Sequence, residues 1–183
     1  MPFLLIKNIP RYDCLLDAAK LFPDLDPSAC EVFLHLLQAG DEAFRVVDSH
    51  LAEHHISQGR FMVLMQLLNK TTHCPLSRTP AELADLSHVT RATMTGLIDT
   101  LERDGLVNRE PDPTDRRMMS VTLTSKGRAL MQQILPQHFQ RMAALMKPLN
   151  EAERKTLVDL LVKIRQQATG MIGAQTAAGS ATQ

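Results

Sequence analysis

The chain has 183 residues, 44% of them hydrophobic, and 20 Lys and Arg balance 20 Asp and Glu to a formal net charge of zero at pH 7. That is enough apolar material for one good core, and the charge balance excludes a surface that binds polyanions through net charge alone. No apolar run approaches the ~20 residues a membrane-spanning helix needs, Met1 to Ile6 is too short and lacks the basic start of a secretory leader, and Cys14, Cys30 and Cys74 are spaced for neither a disulfide framework nor a zinc knuckle, so a cytoplasmic protein without a membrane partner is expected.

In chain order, Tyr12, Leu15, Leu16 and Ala19 predict a short helix before Pro23, within an extension that covers residues 1 to 28. Asp26-Pro27 supplies a cap and a first-turn proline for a helix to about Glu53, on which Val32, Phe33, Leu36, Leu37, Phe44, Val47 and Leu51 keep helical spacing. Ser57 caps the next, with Phe61, Leu64, Met65 and Leu68 inward. Thr79-Pro80-Ala81-Glu82 is a capping box with proline in the first turn. It opens a short helix whose apolar contacts are Leu83 and Leu86.

Ser87-His88 ends that helix, and a second begins near Thr90 with Met94, Leu97, Ile98 and Leu101 on its inner face. Its other face carries Ala92, Thr93, Thr95, Gly96 and Asp99, with Arg91 at the amino end. These small and hydroxyl-bearing side chains suit close approach to a groove. Gly105 gives a left-handed stop after Asp104, Leu106 to Glu110 a short strand, Pro111-Asp112-Pro113 a turn, and Met118 to Leu123 the returning strand. Asp115-Arg116-Arg117 then occupies the exposed tip of a winged helix-turn-helix.

Beyond Thr124 a further helix carries Leu130, Ile134, Leu135, Phe139, Met142 and Met146, and Pro136 is expected to bend or locally distort it. Asn150 and Glu153 form a second box-like start, for a helix with the apolar stripe Leu157, Leu160, Leu161 and Ile164, which fits a dimer interface. Residues 169 to 183, rich in Ala, Gly, Thr, Ser and Gln without periodicity, read as a disordered tail. The fold class is therefore mainly α with a small β-hairpin wing, the terminal helices forming a dimerisation layer.

Several of these motifs act together: Ile56-Ser57-Gln58 before Phe61-Met62-Val63-Leu64, Leu83-Ala84, Leu97-Ile98-Asp99 with Leu101-Glu102, Gly105-Leu106-Val107, Asp112-Pro113 with Asp115-Arg116-Arg117, and Leu123-Thr124 with Gly127. Over roughly residues 29 to 168 the chain thereby resembles the MarR family. In that frame residues 57 to 127 are the reader, and 29 to 56 and 128 to 168 the scaffold and dimerisation helices. The resemblance implies a homodimeric bacterial transcription regulator, usually a repressor, released from double-stranded DNA by a small molecule or by cysteine oxidation. Two-fold symmetry then demands an inverted-repeat operator with half-sites about one helical turn apart.

The candidate DNA contacts are Ser87, Thr90, Arg91, Thr93 and Thr95, on or beside a helix in the major groove, and Asp115, Arg116 and Arg117 on the wing. An arginine enters the negative potential of a narrow minor groove while Asp115 holds its guanidinium. Alignment with the family favours Arg117, whereas Thr100 stands where relatives often carry a basic residue. Residues 1 to 60 hold 5 Lys and Arg against 9 Asp and Glu, and residues 61 to 183 hold 15 against 11, so binding depends on a few placed arginines doubled by symmetry.

The resemblance further implies that His50, His54, His55 and Arg60 border a cavity for an aromatic carboxylate effector, between these helices and the reader. Imidazoles four residues apart on a helix can meet one ion, but no acidic or histidine partners stand at ligand spacing, so neither metal nor cofactor is assigned. Cys14 or Cys30 fits either an oxidant sensor or small core filler among Leu15, Leu16, Val32 and Phe33. Cys74, beside His73 and Pro75, lacks any third group that would make a catalytic dyad credible, and no enzyme is expected. A protein-binding winged helix is the rival class, and the arginine tip argues against it.

Overall fold

The computed structural model describes residues 8–68, 77–111 and 118–180. Its elements are α1 (Tyr12–Leu21), α2 (Pro27–Glu53), α3 (Gln58–Leu67), α4 (Pro80–Ser87), α5 (Arg91–Arg103), β1 (Val107–Pro111), β2 (Met119–Leu123), α6 (Ser125–Leu145) and α7 (Glu151–Ser180). The strands form an antiparallel hairpin pairing Val107 with Leu123 and Pro111 with Met119. A third segment joins at one point, where Arg78 and Val121 exchange both backbone hydrogen bonds at 3.2 and 2.8 Å.

Local chemistry sets the helix starts. The Asp26 carboxylate accepts from the amides of Ser28 and Ala29 with Pro27 in the first turn, and the Ser57 hydroxyl accepts from Arg60. The Thr79 box closes in both directions, Thr79 N donating to Glu82 Oε2 at 2.7 Å and Glu82 N to Thr79 Oγ1 at 3.2 Å. His88 takes the left-handed conformation (φ 52°) that ends α4, and Gly105 (φ 70°) does the same after α5.

The core gathers Leu51 of α2, Phe61, Val63, Leu64 and Leu67 of α3, Leu83 and Ala84 of α4, Met94, Ile98 and Leu101 of α5, Val107, Val121 and Leu123 of the hairpin, and Met131 and Ile134 of α6. Met65, Leu68 and Leu97 pack against it only partly buried. Leu86, expected as the second apolar contact of its helix, is 51% exposed, because α4 is only two turns long and its buried side is already taken by Leu83 and Ala84. Val32, Phe33 and Phe44 are likewise exposed, since α2 buries only His50 and Leu51 near its carboxyl end. Leu15 anchors α1, which packs on α2, and Cys14 points outward instead of filling core.

Gly127 fixes the junction of wing and α6. A β-carbon there would lie 2.2 Å from the Leu106 carbonyl oxygen, and Thr124 Oγ1 donates to the Gly105 carbonyl at 2.8 Å while accepting from Gly127 N at 3.0 Å. The helix continues through Pro136, which has no amide to offer the carbonyl four residues earlier.

Residues 142–180 belong to a second compact unit. Asn150 N donates to Glu153 Oε2 at 2.7 Å and Glu153 N to Asn150 Oδ1 at 3.0 Å, completing the expected box at the start of α7. The stripe residues Leu157, Leu160, Leu161 and Ile164 are 38–50% exposed. Contrary to the expectation of a disordered tail from residue 169, α7 runs on to Ser180. Alanine is the best helix former, no proline follows Pro148, and isolated glycines cost only about 1 kcal/mol each.

Candidate nucleic-acid interface and effector cleft

Helix α5 presents the expected outer face. Thr90 Oγ1 accepts from Thr93 N at 3.1 Å and contacts Thr93 Oγ1 at 2.9 Å, so the first turn is held by hydroxyls that also face water. Arg91, Thr93 and Thr95 are exposed, and Thr95 Oγ1 donates back to the Arg91 carbonyl at 2.9 Å. A β-carbon on Gly96 would meet nothing within 4 Å, so the backbone on this face can approach a partner closely. Ser87 is half-buried and accepts from Gln66 Nε2 at 3.0 Å, which makes it a tie between α4 and α3. Thr100 is also half-buried, donating to the Leu97 carbonyl at 2.8 Å.

The wing is bolted to that helix by Arg109, which the sequence reading did not single out. Arg109 Nη1 donates to Glu102 Oε2 at 2.7 Å, its amide to Glu102 Oε1 at 3.2 Å, and Nη2 to Asp99 Oδ1. The hydrogen bond that Arg109 donates to Asp99 raises the Arg109 pKa above its usual value against partial burial, and the charge of Glu102 adds to the rise. Two acids three residues apart, just ahead of a glycine turn into a strand, were the signal for such a partner. Asp115, Arg116 and Arg117 lie outside the described residues.

The four effector candidates do not form one set. His54, His55 and Arg60 line a cleft of ≈ 280 Å³ with Ile56, Asp104, Leu106, Lys126 and Leu130. Arg60 Nη2 is paired with Asp104 Oδ2, and Lys126 Nζ donates to the Asp104 carbonyl at 2.8 Å. His50 is fully buried behind this cleft, its ring centroid 5.2 Å from His54 and 6.2 Å from His138, with Nε2 3.4 Å from the Ile134 carbonyl oxygen. Glu53 Oε2 stands 3.5 Å from His50 Nδ1, and Glu53 also accepts from Arg141 Nη2 at 3.0 Å. His138, 4.9 Å from Phe61 between ring centroids, has its pKa lowered by burial and by the neighbouring His50.

A family model described as MarR family matches residues 56–119, from the start of the reader to the returning strand. The HTH-type transcriptional repressor YetL of Bacillus subtilis is 35% identical over 156 residues, covering 85% of this chain and 92% of YetL. The chain belongs to the MarR family. Among solved structures, BpsR of Bordetella bronchiseptica, determined to explain regulation of its DNA binding by 6-hydroxynicotinic acid, is similar with TM-score 0.61 and 29% identity over 72% of this chain and 91% of BpsR. A cysteine-to-serine variant of MarR from E. coli, complexed with operator DNA, is similar with TM-score 0.60 and 27% identity over 80% of this chain and 96% of that one.

The protein is thus a MarR-family transcriptional regulator with the winged-helix fold of that family. Among the described residues no group of three or more His, Cys, Asp or Glu is arranged to hold a metal ion, and no helix is long and apolar enough to cross a membrane. Cys14 is exposed and Cys30 half-buried, while Cys74 lies outside the described residues. Asp104, Lys126 and His138 were missed at the sequence level because each gains its meaning from a partner distant in the chain.

Proposed function

We propose that this MarR-family regulator is a homodimeric cytoplasmic repressor that binds an inverted-repeat operator and leaves it when a small organic anion binds. What carries the reading is α5: its exposed face joins Arg91 to the small Thr93, Thr95 and Gly96, while its inner face and Arg109 fix it to core and wing. Thr90, Arg91, Thr93 and Thr95 contact bases or phosphates in the major groove, and Ser87 orients α4 beneath them. Arg117 enters the minor groove from the wing, beside Asp115 and Arg116. Dimerisation doubles these contacts across a two-fold axis, and the exposed stripe of α7 supplies apolar surface for it.

The effector reading is supported by the cationic, partly apolar cleft around Arg60 and by similarity to BpsR, whose DNA binding responds to 6-hydroxynicotinic acid. Duplexes selected from a random pool, titrated by fluorescence anisotropy over a range of salt, test the proposal. Steep salt dependence and a loss of about 1 to 3 kcal/mol for Arg117→Ala are expected. Salt-independent binding, or full affinity in both Arg91→Ala and Arg117→Ala, rejects this use of the reader.

A further inference from the structure

We propose that α5 takes its sequence information from the C5-methyl groups of thymine, met by Ala92 and the γ-methyl of Thr95 beside the bare backbone of Gly96, with Arg91 as the one long polar reader. The inference rests on α5 being the major-groove helix and names the base feature that it recognises. Most of the usual polar readers are missing from this helix. Adenine is read by Asn or Gln, guanine by Arg or Lys, and cytosine by Asp or Glu, and α5 contains no Asn, Gln, Lys or His. Its two acids, Asp99 and Glu102, are both held by Arg109. Arg103 stands at the carboxyl end, about 10 Å along the axis beyond Gly96. In the first two turns only Arg91 carries a long polar side chain.

The hydroxyls of those turns are engaged within the helix. Thr95 Oγ1 donates to the Arg91 carbonyl at 2.9 Å, so what Thr95 offers a partner is its methyl. Thr90 Oγ1 accepts from Thr93 N at 3.1 Å, and one further hydrogen bond of 2.9 Å joins the Thr90 and Thr93 hydroxyls to each other. Ala92 and Gly96, four residues apart, share the line opposite Met94, Ile98 and Leu101. Ala92, Thr95 and Gly96 are all exposed. A β-carbon on Gly96 would meet nothing within 4 Å, so no packing inside the protein requires glycine there, although glycine weakens a helix interior. A base edge brought up against the backbone gives the bare position its use.

Thymine is the base that such a surface distinguishes, because its methyl projects into the major groove and makes apolar contact with alanine and threonine methyls. Burying one methyl group is worth about a fourfold change in affinity. Two contacts in each half-site, doubled by symmetry, multiply to a factor on the order of 10². Discrimination of this kind needs no charge, which suits a chain whose formal net charge is zero.

The operator selected from the random pool is rebuilt with deoxyuridine for thymine, one position at a time, and titrated by anisotropy. Uracil keeps every hydrogen-bonding group and loses only the methyl. Wild type should lose about fourfold at each thymine under α5. At the same positions, 5-methylcytosine should bind better than cytosine by a similar factor. Thr95→Ser, which keeps the hydroxyl and its bond to the Arg91 carbonyl, should weaken binding and abolish the uracil penalty at one position. Thr95→Val, which keeps the methyl and loses the hydroxyl, should retain both affinity and penalty. Ala92→Gly should abolish the penalty at a second position. Gly96→Ala should melt no lower than wild type yet bind the operator several-fold more weakly, a split that a merely structural role would not produce.

Wild-type affinity that is indifferent to uracil throughout both half-sites overturns methyl reading and leaves the DNA interface standing. A selected half-site without thymine under α5 does the same. Equal uracil penalties in wild type, Thr95→Ser and Ala92→Gly place the methyl groups against other residues and overturn the assignment. Loss of affinity in Thr95→Val with none in Thr95→Ser shows hydroxyl readout instead, and full affinity in Gly96→Ala removes the close approach. A wild-type protein that selects no duplex from the pool overturns the reading of α5 itself.

Discussion

Arg109 on β1 reaches back across the Gly105 turn to Asp99 on α5, so the wing and the helix that precedes it share one ion-pair network with Glu102. These groups are partly exposed, and each pair contributes roughly 1 kcal/mol or less to stability. Their larger effect is on the pitch of the hairpin. Arg109→Met should leave the melting temperature within a few degrees of wild type and lower operator affinity about tenfold. Calorimetric melting and anisotropy together check this, and unchanged affinity would show that the wing needs no such tether.

Gly127→Ala should be among the most damaging single changes. A methyl group 2.2 Å from the Leu106 oxygen forces the start of α6 away from the hairpin, at a cost of about 3 kcal/mol. Urea titration should record an earlier midpoint, with a loss far exceeding that of Gly96→Ala, whose added carbon meets open space. Equal losses for both would contradict the packing described.

Stability should fall on acidification. His138 has a pKa below the ordinary 6.5, so between the two values the unfolded chain binds more protons than the folded one, and folding weakens as pH drops through about 6.5. The loss levels off below the folded-state value. The ring faces His50 and Phe61, while Glu53 and Arg141 pair on the same side of the cluster. Urea midpoints from pH 8 to pH 5 should slope less in His138→Phe than in wild type. Parallel slopes would assign the pH dependence to other groups.

Truncation after Leu149 should abolish dimers, because it removes the stripe Leu157, Leu160, Leu161 and Ile164. Light scattering is expected to report monomers, and operator affinity should collapse as the second reader's phosphate contacts vanish. A control ending at Thr169 should stay dimeric. A truncated protein that remains dimeric would move the interface to other surfaces.

Local features were the legible ones. Asp26-Pro27, Thr79 to Glu82, Thr90 and Asn150 to Glu153 declare helix starts because a cap and its amide lie within three residues, and Gly105 declares a stop for the same reason. The outer face of α5 followed from its inner one, Met94, Ile98 and Leu101. Arg60 with Asp104 and His50 with His138 were not legible, since pairs 44 and 88 residues apart meet only once helices pack. Spacing misjudged Leu86 because two turns of helix cannot tell an inward apolar residue from an outward one. Composition misjudged 169–180, where small residues that resemble a linker also include good helix formers.

The double hydrogen bond between Arg78 and Val121 has a bearing on solubility. A two-stranded hairpin normally offers two bare edges, each a template for a strand from another molecule. At Val121 the outer edge of β2 is already occupied by the chain itself, and Arg78 is pinned in turn by its Nε donating to the Gln66 carbonyl at 3.2 Å. Adjacent copies of the regulator, brought together at high local concentration, therefore meet a hairpin whose ladder is closed at that point to strand exchange.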